Sequence, residues 1–158
     1  MPTPRRSAGL LLFRRAPTIE VLIGHMGGPF WARKADAAWS IPKGEVESGE
    51  DELAAALREF SEELGLAVPA SAMAEAVDLG TVRQSSGKIV HVWAAEADLD
   101  TSVVVPGSFE MEWPPGSGIT ATYPELDRVE WSSVEQARRR LIVAQRQFVD
   151  RLELLIAG

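Results

Sequence analysis

Glu59, Glu62 and Glu63 stand close together near the end of one helical pattern, in "GEVESGEDELAAALREFSEELGL", residues 44–66. A helix C-terminus already carries negative partial charge, so carboxylates are unfavourable there unless something positive binds. At 100° per residue, Glu62 and Glu63 fall one turn beyond Glu59, on either side of its direction. Leu53, Leu57, Phe60 and Leu64 form an apolar stripe that points roughly 100–160° away from Glu59 by the same arithmetic. The helix can therefore bury that stripe and still show its acids to a cleft. Carboxylate oxygens are hard ligands, and a few of them with water suit Mg2+, which in turn holds substrate phosphates. A carboxylate left off the metal can act as general base toward a metal-activated water. Arg58 carries the planar fork that orients such a group. A charge run on a helix is more often a plain solvated face. The loop ahead, "IPKGEVESGE", tips the balance: Gly44 and Gly49 permit unusual backbone angles and close approach to a ligand, with a backbone carbonyl as a further donor.

Gly44, Glu50, Arg58, Glu59, Phe60, Glu62, Glu63, Gly65 and Leu66, at these spacings, resemble the signature of the Nudix hydrolases at every defined position. The lead-in Trp39…Pro42-Lys43-Gly44 is similar as well. The resemblance implies an α/β (α+β) fold of the αβα sandwich type with a mixed sheet. It implies cleavage of a pyrophosphate bond by water attack on phosphorus, with Mg2+ or Mn2+. Glu62 and Glu63 look like metal ligands, and Glu59 like a further ligand or the general base. Lys43 precedes the signature glycine, at a position whose backbone carbonyl often joins the metal shell. Arg58 looks like the residue that orients the glutamates. Glu50 looks structural or like an outer ligand, and Gly44 and Gly65 look structural. Family members often add an acid from another loop. Glu110 and Glu112 in "FEMEWPP" are the candidates, weighed against plain surface charge.

The same resemblance bears on substrate. "WSIPKGEVESGE" is similar to the lead-in of diadenosine tetraphosphate hydrolases and some nucleoside triphosphate hydrolases. Lys43 can also meet a phosphate as a point charge. A proline marking ADP-ribose hydrolases is replaced by Thr81 and Val82, and a tyrosine marking many dinucleoside hydrolases by Arg83 and Gln84. No coenzyme A motif precedes the signature. The expectation is a nucleoside or dinucleoside polyphosphate hydrolase. The alternatives are an ADP-ribose-type hydrolase and a non-catalytic nucleotide sensor. A nucleobase needs a flat partner, and Trp31, Trp39 and Trp113 are near enough in sequence to offer one, although a Trp is more often packed. His25 and His91 lack any metal spacing and read as structural. No GxSxG elbow supports a serine nucleophile.

Elements must position these groups. Residues 8–13 and 19–23 read as neighbouring strands around Ala16-Pro17-Thr18, and residues 39–41 as a short strand stopped by Pro42. Ser48 is the expected N-cap of the acidic helix, and Gly65 its terminator. Residues 77–82 and 88–95 read as paired strands around "QSSGK", and residues 129–131 as another. Residues 106–123 read as irregular. Helices are expected near 134–141, capped by Ser132 or Ser133, and over 145–156.

A chain of 158 residues is expected to make one domain, here 1–158. The net charge of −7 argues against a nucleic-acid-coating surface, while a bound cation still allows phosphate substrates. The absence of cysteine excludes disulfides, thiolate nucleophiles and cysteine-based zinc sites. No apolar run reaches membrane-span length, and Arg14 and Arg15 cut short the N-terminal one. The expected location is the cytoplasm, and the expected partners are a small nucleotide and, as in many Nudix proteins, a second copy in a homodimer.

Overall fold

The computed structural model describes residues 5–15 and 17–157. Residues 1–4 and Ala16, the first residue of the expected turn, lie outside them. Strand β1 (Arg6–Arg15) is the centre of the sheet, and every residue from Ser7 to Phe13 is buried. Its side chains alternate between two cores. Leu10 and Leu12 join Phe60 and Leu64 of helix α1 (Glu52–Leu64) on one face. Leu11 and Phe13 join Ala137, Phe148 and Val149 on the other, beneath α3 (Val134–Arg140) and α4 (Arg146–Ala157). A strand covered on both faces must be apolar throughout, which explains the uninterrupted run. The result is a helix–sheet–helix sandwich.

The sheet runs β3 (Trp39–Ser40), β2 (Ile19–Met26), β1, β6 (Ile89–Glu96), β5 (Val77–Arg83). β1 and β6 are parallel and the other pairs antiparallel, so the sheet is mixed. β9 (Leu126–Ser133) lies along the far edge of β2. β1 and β2 pair only from Phe13↔Val21 to Arg15↔Ile19 and then part. The segment 39–45 fills the opening: β3 pairs with β2 at Gly24↔Ser40, and β4 (Lys43–Glu45) pairs with β1 at Ala8↔Gly44. That splayed end of the sheet carries the site.

The acidic helix begins later than its sequence suggests. Asp51, not Ser48, is the N-cap, and its carboxylate accepts the Ala54 N–H at 3.0 Å. Residues 47–50 instead close a turn, with Glu50 N–H donating to the Glu47 carbonyl at 3.0 Å. That turn leaves Glu50 outside the helix and within reach of Arg58. Gly65 ends the helix at φ 69°, donating to Ser61. The buried face also differs: Ala55 and Ala56 are fully buried against Ala8 and Val46, whereas Leu53 and Leu57 are half-buried. Two small residues there let β4 lie close along the helix.

Residues 106–123 are not irregular. They hold a hairpin, β7 (Ser108–Glu112) and β8 (Thr120–Pro124), with Phe109 opposite Tyr123. The strands are exposed on both sides except at alternate positions of β7 and at Tyr123 of β8, so no buried apolar run marks them. A short helix α2 (Ala70–Met73) was likewise unsignalled. Among the described residues no helix is long and apolar enough to cross a membrane.

Candidate active site

The wedge 39–45 packs against helix α1, and together they line a cleft of about 530 Å³. Glu59, Glu63, Lys43, Gly44 and Trp31 line it. The Glu59 carboxylate lies directly against Gly44, where an added β-carbon would stand 2.0 Å from its Cδ. The signature glycine is thus the space into which Glu59 fits. Glu63 is held from the same strand, because the Lys43 N–H donates to its Oε2 at 3.2 Å.

Arg58 ties the acids together. It grips Glu50 with two hydrogen bonds, of 2.9 and 3.0 Å. It also donates to Glu59 Oε1 at 2.8 Å, to Glu62 Oε2 at 3.2 Å and to the Glu45 carbonyl at 3.0 Å. Such a fork fixes several carboxylates where a lysine, a point charge, would not. Glu62 keeps 59% of its side chain exposed and is outside the cleft lining. Among the described residues no three acids yet stand together at metal-ligand spacing; Arg58 draws Glu59 and Glu62 to itself.

The charges in the cleft are strained. Burial pushes the Glu63 carboxyl up to about 8, against the pull of Lys43 and with Glu125 adding repulsion. Burial raises Glu59 as well, opposed by Arg58 and reinforced by Glu62 and Glu125. Glu125 is raised by burial and then by Glu62. Glu50, outside the cleft, is held down at about 2 by its bonds to Arg58. Lys43 is lowered by burial and by neighbouring Lys88. A cluster of carboxylates that resist ionisation because they are buried beside one another is what a divalent cation relieves.

Glu125 is a cleft acid that reading the sequence did not pick out. It sits between β8 and β9, and its carbonyl accepts the Gly27 N–H at 2.9 Å. A β-carbon at Gly27 would fall 1.7 Å from the Pro124 oxygen, so only glycine lets this segment approach. Glu110 and Glu112 do not fill the role: both are exposed on the hairpin, and Glu112 caps its own turn by accepting the Gly118 N–H at 2.6 Å. No spacing in the sequence distinguishes Glu125 from them. The nearest sign is its place just before the apolar start of β9.

Trp39 does not offer a stacking face. Its ring is 2% exposed in the core, met edge-on by His25 at 5.4 Å and covered by Arg140 at 4.5 Å. Trp31, half-buried, does line the cleft, and Phe109 from the hairpin joins it. Lys88 and Ser7 line it too and carry no motif. The histidines lie outside the lining. His25 bridges Asp127 at 2.7 Å and the Lys34 carbonyl at 2.6 Å, and His91 bridges Glu52 at 2.8 Å and Asp78 at 2.7 Å.

A mixed-sheet sandwich with this glutamate helix defines a class of protein. The chain matches the NUDIX domain family over residues 3–152, and it belongs to the Nudix hydrolase family. It is 42% identical over 66 residues to the RNA pyrophosphohydrolase of Rhodospirillum rubrum, a match that spans 40% of this chain and only 39% of that one. It is 33% identical over 108 residues to the bis(5'-nucleosyl)-tetraphosphatase (asymmetrical) of Rattus norvegicus, over 62% of this chain and 69% of the relative. A C. elegans Ap4A hydrolase in a binary complex has the same fold, with TM-score 0.67 at 24% identity over 96% of this chain and 98% of that one. So does the NUDIX domain of Shewanella oneidensis NrtR, complexed with ADP ribose, with TM-score 0.68 at 14% identity over 99% and 90%. At such identities the structures speak for the fold alone.

Proposed function

We propose that this chain hydrolyses dinucleoside or nucleoside polyphosphates with the help of Mg2+ or Mn2+. The observation that carries the reading is the gathering of Glu59, Glu63 and Glu125 in one cleft beside Lys43, with their carboxyls raised by burial and mutual repulsion. The donor set fits the cation, for it offers hard oxygens only, and Glu62 is exposed enough to turn toward them. Glu62, Glu63 and Glu125, with a main-chain carbonyl at Lys43–Gly44, would hold it, which leaves the Glu59 carboxylate off the metal. The bound ion would polarise the phosphate and make water a nucleophile near neutral pH.

The chain's own residues do the rest. Arg58 holds Glu59 and Glu62 in register through hydrogen bonds of 2.8 and 3.2 Å. Glu59, 14% exposed and raised in pKa, is suited to take the proton from the attacking water. Lys43 supplies positive charge to the phosphates, with Lys88 beside it. The tetraphosphatase relative, matched over 69% of its length, favours a dinucleoside tetraphosphate among these substrates.

A product-resolved panel tests the reading. Diadenosine polyphosphates, nucleoside triphosphates, ADP-ribose and an RNA bearing a 5′-triphosphate are incubated with Mg2+ and separated by chromatography. Diadenosine tetraphosphate or a nucleoside triphosphate should be cleaved fastest. Preferred cleavage of ADP-ribose would replace the substrate. Nucleotide binding without turnover of any member would make the chain a sensor.

A further inference from the structure

The cleft has two unlike ends. β1, β4 and β6 build a polar one from Ser7, Lys43 and, just ahead of β6, Lys88. The end of β2, the loop after it, the hairpin and the start of β9 build an apolar one from Met26, Trp31, Phe109 and Leu126. Trp31 and Phe109 are the aromatic side chains that line the cleft among the described residues. Other tryptophans are committed elsewhere: Trp93 stacks on His91 at 3.9 Å, and Trp131 donates to the Leu99 carbonyl at 3.0 Å.

Both cleft rings are held from outside. Trp31 rests on the core and meets Phe30 edge-on at 4.8 Å, and its main-chain N–H donates to the Gly28 carbonyl at 3.3 Å. Its loop is pinned to β2 by His25, which reaches the Lys34 carbonyl. Phe109 comes from a different segment and packs on the bare α-carbon of Gly28, where a β-carbon would stand 3.1 Å from its Cζ. Tyr123 backs it, ring centre to ring centre at 6.1 Å. Half-buried aromatic rings at the apolar end of a charged cleft are poor company for phosphate and good company for a heterocycle.

We propose that Trp31 and Phe109 hold the nucleobase of the substrate, so that its phosphates run from that end, past the acids, toward Lys43 and Lys88. This assignment rests on the nucleotide reading above, and it sets the substrate's direction as well as its specificity. Stacking is blind to the base edge but absolute about having a base at all.

The test is equilibrium binding of ADP and of inorganic pyrophosphate, each with Mg2+, by titration calorimetry. Wild type should bind ADP more tightly than pyrophosphate. Trp31→Ala and Phe109→Ala should each weaken ADP about tenfold, the scale expected for one lost stacking partner, with pyrophosphate affinity unchanged. Trp31→Phe should recover most of the loss. If an alanine variant does not fold, Phe109→Leu, which keeps apolar bulk without a ring, decides alone by the same comparison. Equal losses for ADP and pyrophosphate, or no preference for ADP in wild type, overturn the proposal. The hydrolase reading fails separately, on absence of turnover by a protein that still prefers ADP.

Discussion

The carboxylate of Glu59 occupies the space that a side chain at residue 44 would need. A β-carbon on Gly44 would stand 2.0 Å from Glu59 Cδ and Oε2. Gly44→Ala must therefore push the carboxylate out of the cleft or move β4. Displacement of a catalytic group by about 1 Å costs on the order of 100-fold in rate. The expected result is a folded protein with kcat lowered by about that factor, while Gly49→Ala, which meets nothing within 4 Å, changes stability alone through its φ of 77°. Steady-state kinetics beside thermal melts make the comparison, and a Gly44→Ala enzyme of wild-type kcat would refute the packing argument.

Arg58 is expected to act through the acids it orients. Arg58→Lys keeps the charge but loses the paired bonds to Glu50 and the simultaneous reach to Glu59 and Glu62. Its kcat should fall by about 100-fold, again the cost of a misplaced group. Glu50 provides a reporter: carboxyl NMR should show its midpoint rising from about 2 toward the ordinary value when Arg58 is replaced by Ala. An unmoved Glu50 midpoint would show that the bonds do not persist in solution.

Glu125 separates from the acids of the hairpin. Glu125→Gln should weaken Mg2+ binding and lower kcat by at least about tenfold, as loss of one charge-bearing ligand does. Glu110→Gln and Glu112→Gln should match wild type, since both lie exposed on β7. Mg2+ titrations of activity on all three variants check this, and the reverse order would relocate the missing acid to the hairpin.

The raised Glu63 links stability to pH. Its folded pKa, about 8, lies above the unfolded carboxylate value, so between roughly 4.3 and 8 the folded protein holds the extra proton. Stability contributed by this group is then present at low pH and is lost as pH rises through 8. Mg2+ favours the ionised form, so it should restore stability most at the upper end of that window and release a proton on binding. Glu50 and Glu52, both lowered to about 2, act oppositely, and their contribution is lost as pH falls below the unfolded value toward 2. Melting temperatures from pH 5 to 9, with and without Mg2+, should diverge upward in wild type and diverge much less in Glu63→Gln, where only Glu59 and Glu125 remain raised. Parallel curves in wild type would count against a buried, metal-linked Glu63.

Much of the site was legible because local spacing carries it. Gly44 lies in a short strand, and Arg58, Glu59 and Glu63 in the one helix that follows it, so their sequence distances set much of their geometry. β1 was legible from its apolar run. Glu125 and Phe109 were not, since they reach the cleft only through tertiary contacts with Gly27 and Gly28. The hairpin that carries Phe109 is a two-stranded sheet with little burial, and leaves no periodic signal. Trp39 misled for a related reason: nearness to the signature in sequence put it beside the site, while β3 turned its ring into the core.

The most direct measurement is hydrolysis of diadenosine tetraphosphate as a function of Mg2+, in wild type and Glu63→Gln. The account predicts no turnover in chelator and saturable activation by Mg2+. In Glu63→Gln it predicts weaker Mg2+ activation and kcat lowered by about 100-fold or more, the scale of losing a metal-directed catalytic group. Undiminished wild-type hydrolysis in chelator, or a Glu63→Gln protein as active as wild type at every Mg2+ concentration, would contradict it.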